Sequence, residues 1–326
     1  KVDFISITSI AEAKSPLYKI QSIVLFALGS LFHAVAYGNI QPLLIGIVFF
    51  LAGYLMLRFA PLEGQYERDA FRIIFAVCWF WAGVSAIYAN KLDDVFQNYS
   101  DAVSFYYLAS GEARGLSLID LRVISEGAGA IVFWGWIYDL FSSLGFAKER
   151  FIGITANTFF VSMTGAIAVK IVNILFGSDE VRVKRFILIF SLCGMFWLFA
   201  AIHLRDALIL LAVTTLVYFW VKYLDRPRMI YLLFLAVASV TAFLFFTYLR
   251  TEFQLVPLVM LFAGVLALWL GRAGLNINRL WVYIFIASGF VGIWLSAYSF
   301  ELDFYDIWRV GYEQYFDLSV RQSQES

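Results

Sequence analysis

Histidine and cysteine each occur only twice in the 326 residues, proline only five times, and Asp, Glu, Lys and Arg together make up 15% of the chain. Each scarcity removes a class of protein. Two histidines, His33 and His203, cannot by themselves supply a histidine metal site, and two cysteines cannot build a disulfide framework. Cys78 and Cys193 both lie inside apolar runs and read as small core residues. Basic and acidic residues balance at 24 each, so no net field favours nucleic acid. No Walker-type phosphate loop, metalloprotease motif or Ser-His-Asp order is present. So small a charged fraction also excludes an ordinary soluble domain, which carries about 25%.

What the chain has instead is apolar surface: 62% hydrophobic and 19% aromatic residues, with a mean hydropathy of +0.80. The ~10-residue alternation of an outer-membrane barrel is missing. Apolar runs long enough to cross a bilayer recur instead, at about 20–37, 41–58, 72–89, 152–176, 186–204, 207–224, 229–248, 255–271 and 280–298. The expected fold is therefore all-α: a polytopic transmembrane helical bundle of about nine spans, forming one membrane domain over 1–326. The chain starts at Lys1 without methionine and ends in polar "VRQSQES", which predicts a longer natural chain.

One more apolar piece, "AGAIVFWGWIYDLFSSLGF" at 128–146, has only some eleven residues before Asp139, short of the ~20 that a span needs. The positive-inside rule decides how to place it. If it does not cross, one side of the membrane holds Arg58/Arg68/Arg72, Arg182/Lys184/Arg185, Lys222/Arg226/Arg228 and Arg272/Arg279. The other side keeps scattered cations such as Lys148, Arg150, Arg205 and Arg250. The segment is therefore expected to be an interfacial or re-entrant helix on the outer face of a cytoplasmic membrane, with the N-terminus inside. Residues 90–151 then form one long outer loop, and most acidic residues fall outside. These either solvate outer loops or line an acidic cleft at membrane level.

That loop opens "NKLDDVFQNYSDAVSFYYLASGEARG", an amphipathic stretch suited to the interface. "SDAV" has the look of a helix cap, with Ser100 or Asp101 capping a helix that runs through Tyr107. Asp93 and Asp94 stand nearer the span. After the span "ITANTFFVSMTGAIAVKIVNILFG" and a basic turn, a further span ends in "HLRD", residues 203–206. There one of the two histidines meets an adjacent cation and anion. Either the four residues are a turn that marks the membrane boundary, or they line a site.

This order of span, outer loop with "SD…YYLA.G", interfacial helices and "HLRD" resembles membrane glycosyltransferases of the GT-C superfamily, including O-antigen and exopolysaccharide polymerase-like proteins. The likeness covers roughly residues 72–250. It implies a first-loop acid at Asp101 and a second-loop group of Arg205 with Asp206. It departs from the family in having two preceding spans and no paired acids in the second loop, which leaves a divalent cation undecided. The implied reaction moves a sugar or glycan unit from a polyprenyl-linked donor, held among membrane lipids, to a glycan, lipid or protein acceptor outside the cytoplasmic membrane.

The residue types suit that chemistry. A carboxylate, Asp101 with Asp206 as a second acid, can deprotonate an attacking hydroxyl. A guanidinium, Arg205, can neutralise the departing phosphate bidentately. His203 lines the same cleft, and Arg250, Glu252, Glu126 and Asp94 are further substrate-binding candidates. Lys170 is expected to snorkel to the interface, and His33 to be hydrogen-bonded inside its span. The rival class is a transporter or lipid flippase, which would place ionisable groups near mid-bilayer and often show internal repeats. No convincing repeat is found.

Overall fold

The structure is a computed structural model that describes residues 16–59, 64–91, 100–112, 128–226 and 229–249, with 256, 257, 259 and 260. All secondary structure among the described residues is helical. The helices are α1 (Pro16–Tyr37), α2 (Gln41–Phe59), α3 (Gln65–Lys91), α4 (Ser100–Tyr107, continued by a π-helical turn, Leu108–Glu112), α5 (Ala128–Ser143), α6 (Phe151–Phe176), α7 (Glu180–Leu192), α8 (Gly194–Ala201), α9 (Asp206–Asp225) and α10 (Met229–Leu249).

Local chemistry sets the ends. Gly38, at φ 69°, takes the left-handed conformation that closes α1, and the Asn39 side chain then accepts the backbone N–H of Gln41 at 3.0 Å to open α2. Gly177, at φ 79°, ends α6, and Asp179 caps α7 by accepting the N–H of Val181 at 3.0 Å.

Among the described residues α1, α2, α3, α6 and α9 are each long and apolar enough to cross a membrane, and the bent pair α7–α8 brings the number to six if it is taken as one span. The chain is a multi-pass membrane protein. Helix α10 forms where the span 229–248 is expected. The spans at 255–271 and 280–298 lie outside the described residues, apart from 256, 257, 259 and 260. The expected span 186–204 is not straight: α7 and α8 meet at 55°. Cys193 sits at that bend and is partly exposed rather than a core residue, whereas Cys78 is fully buried. The Trp197 indole N–H donates to the Ser191 carbonyl and so satisfies an acceptor that the break would otherwise release.

By contacts the chain divides into two compact units, 1–232 and 233–326. Helices α1 to α9 lie in the first. Within it α1 and α3 run parallel and touch through glycines. A methyl group at Gly29 would stand 2.9 Å from the Phe80 backbone, and one at Gly83 would stand 2.6 Å from the Gly29 carbonyl. Small residues at a crossing let two backbones approach where no hydrophobic force drives helices together. His33 sits beside this crossing, stacked on Trp79 at 3.9 Å, and donates from Nδ1 to the Gly29 carbonyl at 2.9 Å.

Helices α3 and α6 are antiparallel. Glu67 at the start of α3 meets Lys170 and Asn173 near the end of α6, whereas Ala82 packs with Ile154 and Ala201. Between them lies a core of Leu57, Phe71, Phe75, Trp79, Met163 and Ala166. This geometry has a topological consequence. The connection from Lys91 to Phe151 leaves and re-enters at the same end of the bundle, so it makes no net crossing. Helix α5 belongs to that connection. Its Phe133 rests on Phe160 and its Phe141 on Phe49, each more than two turns inside a span. Its outer face carries Trp136 and Leu140, and Leu144 follows in the turn, all exposed. Helix α5 therefore packs against α2 and α6 as well as belonging to the connection.

Lys170 departs from expectation. It does not merely reach for the interface but pairs with the buried carboxylate of Glu67 at 3.5 Å. Glu67 is 2% exposed and also accepts from the Asn173 amide at 3.4 Å. The sequence pattern shows single charges near span ends and cannot show that two of them face each other.

Candidate functional site

The site lies at the bundle end where α1 and α3 finish and α6 and α9 begin. The Gln41 side chain accepts the N–H of Ala147 there at 3.1 Å, and Tyr37 meets Phe151 edge-on at 5.1 Å. Residues 202–205 join α8 to α9. The Leu204 N–H donates to the Ile202 carbonyl at 2.9 Å, closing a three-residue turn around His203.

His203 is 1% exposed and points into the bundle. Its ring lies on Gly153 of α6, with Trp134 at 5.1 Å, and its Nε2 shares a hydrogen bond with the Tyr138 hydroxyl at 3.3 Å. Burial, together with the nearby Arg150 guanidinium, holds its pKa down at about 3, with the Ala102 backbone acting in the opposite direction. The imidazole is therefore neutral at any ordinary pH. Burial likewise raises the Tyr138 phenol well above the usual range, so it stays a hydrogen-bond donor.

Two arginines bracket α4 from the bundle. Arg205 lies over the Phe105 ring at 5.7 Å, and Arg150 over the neighbouring Tyr106 ring at 5.5 Å. Tyr106 donates to the Lys148 carbonyl at 2.8 Å, and burial raises its phenol pKa. Lys148 is itself ion-paired with Asp139 of α5. The first-loop helix and the "HLRD" turn are thus packed together, although about a hundred residues separate them in sequence.

Asp206 opens α9 and is partly exposed, in the first turn where a carboxylate complements the helix dipole. Asp101 falls in the first turn of α4, beside Ala102, whose backbone approaches His203. The Asp101 side chain lies outside the described residues, as do Asp94, Glu126, Arg250 and Glu252 altogether. Among the described residues no group of three or more His, Cys, Asp or Glu side chains could hold a metal ion.

No family model, curated protein or solved structure matches this chain.

Sequence reasoning passed over four residues that build it: Tyr138, Arg150, Gly153 and Asn157. Asn157 is fully buried, and its amide donates to both the Ile202 carbonyl at 2.7 Å and the Leu204 carbonyl at 3.0 Å. The available signal was the polar series Thr155, Asn157, Thr158, Ser162 and Thr164 inside one span. The hydroxyls bond to carbonyls of their own helix four residues back, leaving Asn157 as the one that reaches across.

Proposed function

We propose that this chain is a membrane glycosyltransferase or polysaccharide polymerase that moves a sugar or glycan unit from a polyprenyl-phosphate carrier to an acceptor on the extracytoplasmic face. The observation that carries the reading is the packing of α4 against the 202–206 turn, with Arg205 over Phe105. Two segments with complementary chemistry, an acid-bearing helix and a guanidinium-bearing turn, meet at one end of a membrane bundle.

In this reading Asp101 is the base that deprotonates the acceptor hydroxyl. Arg205 neutralises the phosphate as it departs. Asp206 orients Arg205 or acts as a second acid, and His203 builds the wall beneath them. A lipid-linked donor suits such a place, because its head lies at the interface and its tail among the helices.

The charge distribution supports the orientation. Arg58, Arg182, Lys184, Arg185, Lys222 and Arg226 gather at the opposite end, against Lys148, Arg150 and Arg205 at the site end. Ionisable side chains of the described spans lie within about two turns of a helix end, as His33, Glu67, Arg72 and Lys170 do. That favours interfacial chemistry over a transporter's path through mid-bilayer.

The test compares Arg205→Lys with Arg205→Ala at matched expression and folding, reading glycan product. A bidentate phosphate ligand predicts that lysine fails almost as badly as alanine, because it keeps the charge and loses the fork. The expected loss is about a hundredfold to a thousandfold, the size seen when one preorganised oxyanion donor is removed. Normal product from the lysine variant would make 203–206 a boundary turn.

A further inference from the structure

We infer that Asn157 is a positioning residue for Arg205: it sets the direction in which the guanidinium leaves the backbone. The inference rests on the reading of Arg205 as a phosphate ligand.

A turn of three residues has no ladder of its own to hold it, and its carbonyls lie at the edge of a membrane, where unpaired acceptors are costly. Asn157 supplies what the turn lacks. Its Nδ2 donates at 2.7 Å to the Ile202 carbonyl and at 3.0 Å to the Leu204 carbonyl, which belong to the two residues on either side of His203. The amide can sit only one way round, because reversing it would set its oxygen against two carbonyl oxygens.

The second of these bonds reaches Arg205. The Leu204 carbonyl and the Arg205 N–H belong to one planar peptide unit, so fixing the carbonyl fixes the plane from which Arg205 departs. The same face of α6 also receives the histidine. Gly153 lies one helical turn before Asn157, and the His203 ring occupies the space where its side chain would be. One face of α6 thereby holds the side chain at the centre of the turn and the peptides on both sides of it. Two donations, to the peptides that enter and leave the turn, are a template for it.

The test is a double-mutant cycle on the full chain in detergent, read as binding of farnesyl phosphate, with uncharged farnesol as the control. Arg205→Lys is expected to weaken farnesyl phosphate on the order of tenfold to a hundredfold and to leave farnesol unchanged. Asn157→Ala should reproduce that pattern, and the double variant should bind no worse than Arg205→Lys alone. A purely structural asparagine would lower thermal stability and leave the ratio of phosphate to alcohol binding where it was. Losses that multiply in the double variant, or parent-like binding by Asn157→Ala, would overturn the inference while leaving Arg205 as a ligand. Parent-like binding by Arg205→Lys would instead remove the phosphate reading itself, and the inference with it. If the alanine variant does not survive purification, Asn157→Ser, which keeps one donor, carries the same cycle.

Discussion

The imidazole of His203 lies directly on the backbone of Gly153. A methyl group added at Gly153 would overlap Cδ2 and Nε2 of the ring and stand 2.8 Å from the Tyr138 hydroxyl. A mid-helix glycine normally costs about 0.5–1 kcal/mol relative to alanine, so Gly153→Ala should stabilise if the space were open. Here the sign reverses, with an expected loss of about 1–3 kcal/mol from overpacking. Thermal unfolding in detergent checks it, with one further condition. Gly153→Ala should cost much less in a His203→Ala background, and equal costs in both backgrounds would mean the contact is not what matters.

The same histidine gives the fold a pH dependence. Its pKa is about 3 when folded, against 6.5 in the ordinary state. The unfolded chain therefore takes up a proton below about pH 6.5 that the folded chain refuses. Stability is complete above that pH and falls as the pH drops toward 3, by about 1.4 kcal/mol per pH unit. Unfolding followed from pH 7.5 to 4.5 should show a shallower slope for His203→Asn than for the parent. Identical slopes would place the titration elsewhere.

Glu67 and Lys170 should show the asymmetry of a buried pair. Lys170→Met leaves a carboxylate at 2% exposure without its ammonium, and about 3–5 kcal/mol of stability should go with it. Glu67→Gln combined with Lys170→Met should recover much of that loss, because an amide can still accept from Asn173. A double variant as unstable as the sum of the singles would contradict the pairing.

The same-end return of residues 92–150 predicts a labelling pattern. In a chain with Cys78 and Cys193 replaced, cysteines at Gly111 and Leu144 should react with an impermeant reagent from one side of the membrane. Those at Arg182 and Arg226 should react from the other. Opposite labelling of Gly111 and Leu144 would mean that α5 crosses after all.

Asp101→Asn keeps the size of the side chain and most of its capping ability while removing the base. If the proposed chemistry holds, glycan product disappears and folded protein remains. Near-normal product would make Asp101 a helix cap and pass the role to Asp94 or Glu126.

The spans were legible because a bilayer imposes one length and one composition on every helix that crosses it. For 128–146 the structure adds that Lys91 and Phe151 lie at the same end of the bundle, a relation that a charge count over many loops can only suggest. Other features depend on partners that sequence does not reveal. The bend at Cys193 lies inside a run that reads as one span, and its satisfaction comes from the Trp197 side chain. Asn157 looks the same in sequence whether it faces lipid, its own helix or a distant turn. Its carbonyl partners are 45 and 47 residues away. His203 was singled out as a cleft residue, yet only the structure shows its ring turned inward onto Gly153, leaving Arg205 and Asp206 at the surface.

The pairing of Glu67 with α6 also fixes an order of events during synthesis. Asn173 is made 106 residues after Glu67. At about 5–20 residues per second, that interval lasts about 5–20 seconds. All of α3 is therefore made before either Lys170 or Asn173 exists. A carboxylate without those partners is costly to bury, so the start of α3 takes its place in the core only once α6 is there.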